Sequence, residues 1–171
     1  MKQNFLISIF CRDQTGLVAT IANRLFELGG NLGDTTFSVL GAGAEFTTVC
    51  ELPDTTNINE LEYELRQLEQ LSEAEISVKP FILDAIHGPS GHVTHHIIIQ
   101  GGDQPGIIAR LCETFVEFDT NVVRLSAEVT EQNEYLLRLS VNIPREKITS
   151  CLATVSNTAE GLQLNCRFEE V

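Results

Sequence analysis

The chain has 171 residues, of which 43% are hydrophobic, so it can build packed cores and is not disordered by composition. Acidic residues outnumber basic ones by 24 to 11, and the resulting formal charge of −13 is spread over both halves of the sequence. Binding to a nucleic-acid backbone needs clustered cations, so this composition argues against direct contact with DNA or RNA.

Cysteines and apolar runs indicate a cytoplasmic protein. The five cysteines form no C-x-x-C spacing, which favours free thiols in a reducing compartment. The apolar run at residues 5–11 meets Arg12 and Asp13 without a small-residue cleavage site, unlike a signal peptide. No apolar run approaches the length of a membrane span. We therefore expect no membrane contact.

The first half of the chain alternates between strand-like and helix-like patterns. The predicted elements are a strand over 5–11, a helix over 16–28, strands over 31–40 and 44–52, a helix over 58–71 and a strand over 75–84. Leu17, Ile21 and Leu25 recur at helical spacing, and glycines at 29 and 30 end that helix. The glycines of residues 41–43 predict a hairpin turn.

The second half repeats this order. It predicts a strand over 93–100, a helix over 106–118 and a strand over 121–130 with Val123, Leu125, Ala127 and Val129 pointing inward. After a turn at 132–133 it predicts a returning strand with Tyr135, Leu137, Leu139 and Val141 on its inner face, a helix over roughly 145–158 and a strand over about 162–168. Each half is then β-α-β-β-α-β, an α+β fold of the ferredoxin-like type with four antiparallel strands and both helices on one face. We place the first domain at 1–86, a turn-rich linker at 87–92 and the second domain at 93–171.

One stretch occurs twice, ninety residues apart. Arg12-Asp13-Gln14-Thr15-Gly16-Leu17 is matched by Gly102-Asp103-Gln104-Pro105-Gly106-Ile107, and each copy follows a strand and precedes a helix. The Asp of each copy is predicted to cap the helix, and the Gly leaves room for a ligand. Open N–H groups at a helix start attract carboxylates. The alternative is a capping turn without a ligand.

The motif, its position and the order of elements resemble the ACT domain, here in tandem over almost the whole chain. The second copy matches the family pattern Gly-Asp-x-Pro-Gly-hydrophobic closely, whereas the first has Arg12 and Thr15 in place of Gly and Pro. An Asn also begins the second strand of each unit, at Asn31 and Asn121. A pair of such domains without a catalytic or DNA-binding domain is most similar to the glycine cleavage system transcriptional repressor group.

This resemblance implies a non-enzymatic regulator that binds a small amino-acid-like ligand and signals through a protein partner. Such a protein would regulate the transcription of amino-acid (glycine) metabolism genes through a DNA-bound transcriptional activator. The residues implied in ligand binding are Asp13, Gln14, Gly16, Leu17, Asn31, Asp103, Gln104, Gly106, Ile107 and Asn121. We expect the more regular second unit to bind at least as well as the first. We also expect a homo-oligomer, with no cofactor, metal or catalytic residue. The alternative for the two asparagines is completion of a turn.

Two other functions stay open from the sequence. The first is an interaction module that binds no ligand. The second is a metal-dependent enzyme built on the four histidines, His87, His92, His95 and His96. This second alternative is weaker, because His95 and His96 are neighbours on a strand and point to opposite faces. The sequence also carries no nucleophile elbow, P-loop or H-E-x-x-H motif.

Overall fold

The computed structural model describes residues 2–84 and 86–171. By its internal contacts the chain divides into two compact units, Met1–Ala85 and Ile86–Val171. Each unit has the order β-α-β-β-α-β and contains one four-stranded antiparallel sheet. The predicted fold is therefore confirmed for both halves of the chain.

The first unit forms its sheet in the order β2-β3-β1-β4. Its elements are β1 (Lys2–Arg12), α1 (Leu17–Glu27), β2 (Asn31–Leu40), β3 (Gly43–Pro53), α2 (Ile58–Arg66) and β4 (Glu75–Pro80). Alternate residues of β1, among them Phe5, Ile7 and Ile9, are buried under the two helices, whereas the residues between them are more exposed. This alternation places the core between the helices and one face of the sheet.

The second unit repeats this plan with the strand order β6-β7-β5-β8. Its elements are β5 (His95–Gly102), α3 (Ile107–Glu117), β6 (Asn121–Val129), β7 (Glu134–Asn142), α4 (Ile148–Gly161) and β8 (Asn165–Glu170). The core again lies under the helices, with Ile97 and Ile99 from β5 fully buried. Ahead of β5, a short 3-10 turn spans Pro89–Gly91.

Both second helices differ from their predicted ranges. Helix α2 ends at Arg66, and a separate 3-10 turn at Glu69–Leu71 returns Leu71 to the core, where it is fully buried. Helix α4 begins after a 3-10 turn at Arg145–Lys147 and continues to Gly161. An apolar residue every third position suits an α-helix and a 3-10 helix alike, so the pattern did not reveal these breaks.

The edge strands β2 and β6 are exposed along most of their length. Val39, Leu125 and Val129 face the helix side of their sheets, and they remain 51%, 42% and 55% exposed. The prediction that the apolar side chains of β6 point into a core is therefore wrong for Leu125 and Val129. The helices therefore cover only the beginning of each edge strand, where Leu32 and Val122 pack against the cores.

Candidate functional site

The two repeated loops begin helices α1 and α3 with a glycine in the left-handed conformation. Gly16 has φ 86° and Gly106 has φ 84°, and neither helix has a side chain that caps its N-terminus. The prediction that Asp13 and Asp103 act as helix caps is therefore wrong, because each lies three residues before the capping glycine. The first-turn N–H groups of both helices are left without a side-chain acceptor.

The space in front of both glycines is open. A Cβ built on Gly16 or on Gly106 would have no other atom of the chain within 4 Å. Glycine is thus required here by its backbone conformation, since other residues rarely adopt a φ near 85°. This open space lies at the start of each helix, where no side chain caps the first turn. Both features match what a small anionic group would need in order to approach a helix start.

Gln14 and Gln104 hold the two loops in place. The Nε2 of Gln14 donates to the main-chain oxygen of Gln70 at 3.1 Å, and the Nε2 of Gln104 donates to that of Leu162 at 2.8 Å. In both units the acceptor lies in the segment between the second helix and the last strand. These side chains therefore position the loops, whatever further contact they make.

The side chains of Leu17 and Ile107 belong to the two cores. Each is 2% exposed and packs under the sheet of its own unit. The backbone N–H of Leu17 donates to the oxygen of Gln14 at 3.3 Å, within the turn that precedes α1. Any contact that these two residues make with a ligand must therefore involve their backbone.

Asn31 and Asn121 do not lie beside the helix start of their own unit. They begin β2 and β6 just after α1 and α3 end, and an 11-residue helix is about 16 Å long. The side-chain amide of Asn121 donates to the main-chain oxygen of Ser90 at 2.8 Å and fixes the segment before β5. Within each unit, the asparagine therefore lies at the opposite end of the helix from the repeated loop.

Tyr135 lies close to the second loop, a placement that the sequence reasoning did not assign to it. It is the strand partner of Gly101 on β7, and burial together with the negative charge of Asp103 raises its pKa. The equivalent partner of Cys11 in the first unit is Ala44. The second loop therefore has a neutral phenol beside it, where the first has only a methyl group. The predicted antiparallel pairing of β5 with β7 would have placed Tyr135 opposite Gly101, if its register had been known.

The histidines are not brought together as metal ligands. His95 is buried and its Nδ1 lies 3.0 Å from the Thr94 hydroxyl, while His96 Nδ1 lies 3.0 Å from the Ser140 hydroxyl. Within residues 2–84 and 86–171, no group of three or more His, Cys, Asp and Glu side chains is arranged to hold a metal ion. The same residues include no helix long and apolar enough to cross a membrane.

The thiols are poor candidates for nucleophiles. All five cysteines are free. Burial raises the pKa of Cys50 and of Cys166 to about 11, and it also raises the pKa of Cys151. A thiol with a raised pKa is protonated at neutral pH, and the protonated form is weakly nucleophilic.

Solved structures support the fold over the whole length of the chain. An unknown protein from Galdieria sulphuraria is 18% identical, with a TM-score of 0.77 over 100% of this chain and 99% of that one. A putative glycine cleavage system transcriptional repressor is 14% identical, with a TM-score of 0.70 over 100% and 98%. No protein-family model and no curated protein sequence matches the chain. Similarity at these identities establishes the fold alone, which is a tandem of two β-α-β-β-α-β units shared with both structures over their whole length.

Proposed function

We propose that this chain is a non-enzymatic regulatory protein that binds a small amino-acid-like ligand at its helix starts. The observation that carries this proposal is the repeated, uncapped helix start with a left-handed glycine and open space in front of it. A ligand carboxylate would accept hydrogen bonds from the first-turn N–H groups of α1 or α3. The aspartate of each loop, Asp13 or Asp103, lies close enough in sequence to attract the ammonium group.

The two helix starts differ in what they offer a ligand. Tyr135 gives the second loop a hydroxyl that can donate or accept a hydrogen bond, close to Asp103. The first loop has no such group from Ala44. This difference supports ligand binding by the second unit at least as well as by the first, in line with its more regular motif. Gln14 and Gln104 would keep both loops preorganised.

The ligand signal would be passed on by protein contact. Edge strands β2 and β6 expose apolar side chains beside unpaired backbone groups, a combination typical of surfaces that associate with another chain. The excess of 24 acidic over 11 basic residues opposes direct DNA binding. We therefore propose that a DNA-bound partner provides any contact with DNA, in transcriptional regulation of glycine metabolism.

A melting experiment with single amino acids tests ligand binding. The full chain is heated with each of the twenty amino acids at millimolar concentration, and at least one, glycine first, should raise the melting temperature. A ligand at a hundredfold excess over its dissociation constant adds about 2.7 kcal/mol to the free energy of unfolding. If no amino acid shifts the curve, the chain is not an amino-acid sensor.

Asparagine variants at the glycines locate the site. Gly106→Asn and Gly16→Asn keep a residue that tolerates the left-handed conformation, and the new side chain would cap the N–H groups and fill the open space. The ligand-induced shift should fall for the unit that binds. Gly29→Asn is the matched control, since Gly29 has φ 80° at the opposite end of α1 and a Cβ there meets only Pro53 at 3.6 Å.

A protein-interaction module without a ligand is the second candidate, and the exposed Phe37 and Val39 on β2 favour it. It predicts that the melting curve is insensitive to every amino acid, while Phe37→Ser weakens association with a partner or with a second copy.

The proposal that a partner makes the contact with DNA is tested by a mobility-shift assay at low salt. The isolated protein should not retard a duplex, and tight, salt-sensitive binding would contradict the partner-mediated mechanism.

A further inference from the structure

A small recess opens beside the first repeated loop, between the end of β1 and the turn that precedes β4. Its volume is about 200 Å³, and the lining residues that matter here are Cys11, Arg12, Gln14, Glu69, Glu73 and Ala74. Pockets for drug-sized ligands have volumes of about 300–1,000 Å³, so this recess suits only a small molecule. We call it the Arg12 recess.

Opposite charges line the Arg12 recess without neutralising each other. Arg12 comes from the end of β1, and Glu69 and Glu73 come from the turn on the other side. Across residues 2–84 and 86–171, none of these three side chains takes part in an ion pair. A guanidinium can bind a carboxylate through two parallel hydrogen bonds, and a carboxylate can accept from an ammonium. The recess therefore offers both partners that a zwitterion requires.

The turn that carries the glutamates is held by its own hydrogen bonds. The Gln14 amide donates to the oxygen of Gln70 at 3.1 Å, and the Ser72 hydroxyl donates to the oxygen of Glu69 at 3.0 Å. Ala74 is 5% exposed, so it closes the bottom of the recess with a small side chain. A surface fixed before the ligand arrives loses less entropy on binding than a mobile one.

The second unit lacks this arrangement. Ninety residues on from Arg12, Glu73 and Ala74, the sequence has Gly102, Gln163 and Leu164, none of them charged. The Cδ2 atom of Leu164 lies only 2.7 Å from where a Cβ on Gly101 would stand, so this side chain packs against the strand end. The recess is therefore a property of the first unit, although the motif of that unit is the less regular one.

We propose that the Arg12 recess binds a zwitterion of the size of a small α-amino acid, with its carboxylate on the Arg12 guanidinium and its ammonium between Glu69 and Glu73. This inference rests on the proposed function for the class of ligand. For the first unit it assigns a ligand of that class to a different surface from the N–H groups of α1, on the side of the loop that faces the turn before β4, and it leaves the helix start of α3 as the proposed site of the second unit.

Calorimetry on the full chain tests the recess with four probes, which are glycine, L-serine, acetate and methylammonium. The two amino acids should bind, and the two singly charged probes should bind at least about tenfold more weakly. Arg12→Gln and Glu73→Gln should each weaken glycine binding by at least about tenfold, because each removes one of the paired charges. Arg145→Gln is the matched control, since Arg145 is an exposed arginine of the second unit, and it should leave the affinity unchanged.

A second variant introduces the side chain that the second unit carries. Ala74→Leu should fill the recess and abolish glycine binding, and its melting temperature shows whether the fold is kept. Acetate binding as tight as glycine binding would identify an anion site and overturn the zwitterion proposal. Glycine binding that survives Arg12→Gln and Glu73→Gln but is lost in Gly16→Asn or Gly106→Asn would overturn the recess and leave the helix-start site standing. A wild-type chain that binds neither glycine nor L-serine would overturn the recess proposal, whereas the proposed function fails only if none of the twenty amino acids shifts the melting curve.

Discussion

Gly30 and Thr120 occupy the same place in the two units, directly after helices α1 and α3. Each donates its backbone N–H to a helix carbonyl five residues earlier, at 2.8 Å in both units. A Cβ on Gly30 would lie 2.7 Å from the oxygen of Leu25 and 2.9 Å from the Sγ of Cys50, so the first unit has no room for a side chain there. The second unit accommodates a threonine at the same point.

The two units fill the space next to Gly30 and Thr120 with different side chains. In the first unit, Cys50 on β3 fills the place beside Gly30, and its equivalent by strand register in the second unit is Val141. In the second unit the cysteine is on a helix instead, and Cys151 Sγ lies 3.6 Å from the Thr120 hydroxyl. The two cores thus share one backbone plan but are filled differently, so equivalent residues cannot be exchanged singly without strain.

The largest expected effect comes from placing the residue of the second unit in the first. Gly30→Thr should lower the free energy of unfolding by about 2–3 kcal/mol, because the new side chain meets a backbone carbonyl that cannot move alone. Hydrogen exchange should show faster exchange in peptides from β3 and unchanged exchange in those from β7. Gly88→Thr is the control, since a Cβ on Gly88 meets nothing within 4 Å, and it should stay within about 0.5 kcal/mol of the wild type. A loss from Gly30→Thr no larger than this would contradict the comparison.

Alkaline pH should destabilise both units, most strongly through Cys50 in the first unit and Cys166 in the second. The folded protein raises the pKa of Cys50 and of Cys166 from 9.0 to about 11, so folding favours the protonated thiols. This contribution is fully present below pH 9 and is lost as pH rises through 11, by an amount on the order of 2 kcal/mol for fully buried Cys50. Urea unfolding at pH 8, 9, 10 and 11 measures the loss. Cys50→Val should reduce the loss of unfolding free energy between pH 9 and 11 only in part, because Cys166 remains. If the variant loses as much stability over this range as the wild type, Cys50 does not contribute.

The parts of the structure that local patterns determine were predictable from the sequence. Alternation along β1, the helical spacing of Leu17, Ile21 and Leu25, and the ninety-residue repeat each depend on residues close in sequence or on simple comparison. They were enough to assign eight strands, four helices and the pairing of the two halves. The position of the glycine at each helix start was also visible, because only glycine readily adopts a φ near 85°.

The contacts around the candidate site depended on tertiary structure and were not predictable. An aspartate shortly before a glycine predicts a helix cap. Whether the Asp13 side chain reaches the first turn of α1 depends on the backbone conformation of the residues between Asp13 and Gly16. The Gln14 acceptor is 56 residues away, and the placement of Tyr135 follows from the register of β7 on β5. The exposure of Leu125 depends on how far the helices extend across the sheet. A local sequence pattern contains no information about any of these contacts.

A hydrogen-bonded threonine pair, of which one member is buried, gives another difference between the units. Thr48 is fully buried, and its hydroxyl lies 2.8 Å from that of Thr35, which donates to the oxygen of Gly33. The second unit has Leu139 and Leu125 as the corresponding strand partners. Thr35→Val should cost about 1–2 kcal/mol, because it leaves the Thr48 hydroxyl without an acceptor. The double variant with Thr48→Val should recover most of this loss, since both polar groups are then gone, and chemical denaturation would measure the four proteins of the cycle. Additive losses would contradict the pairing.

The smallest expected effect concerns the contact between helices α1 and α2. Arg24 bridges them, with its Nη2 3.5 Å from Glu64 and its Nη1 3.1 Å from Glu27. Ninety residues on, the partners of this bridge are replaced by Thr114 and Thr154, whose hydroxyls bond back to their own helices. An electrostatic link between helices is thus present in the first unit at a position where the second unit has none.

Glu64→Gln should cost less than about 1 kcal/mol, because both side chains of the bridge are partly exposed and water weakens their attraction. The loss should shrink further at 1 M salt, where the screening length falls to about 3 Å. Urea unfolding at low and high salt measures both effects. Glu113→Gln on α3 is the control, because Glu113 is exposed and takes part in no ion pair among residues 2–84 and 86–171. A loss of several kcal/mol that salt does not reduce would instead mark a buried bridge, in which removing one partner strands the other charge. In that case the first unit would depend on charge where the second depends on packing alone.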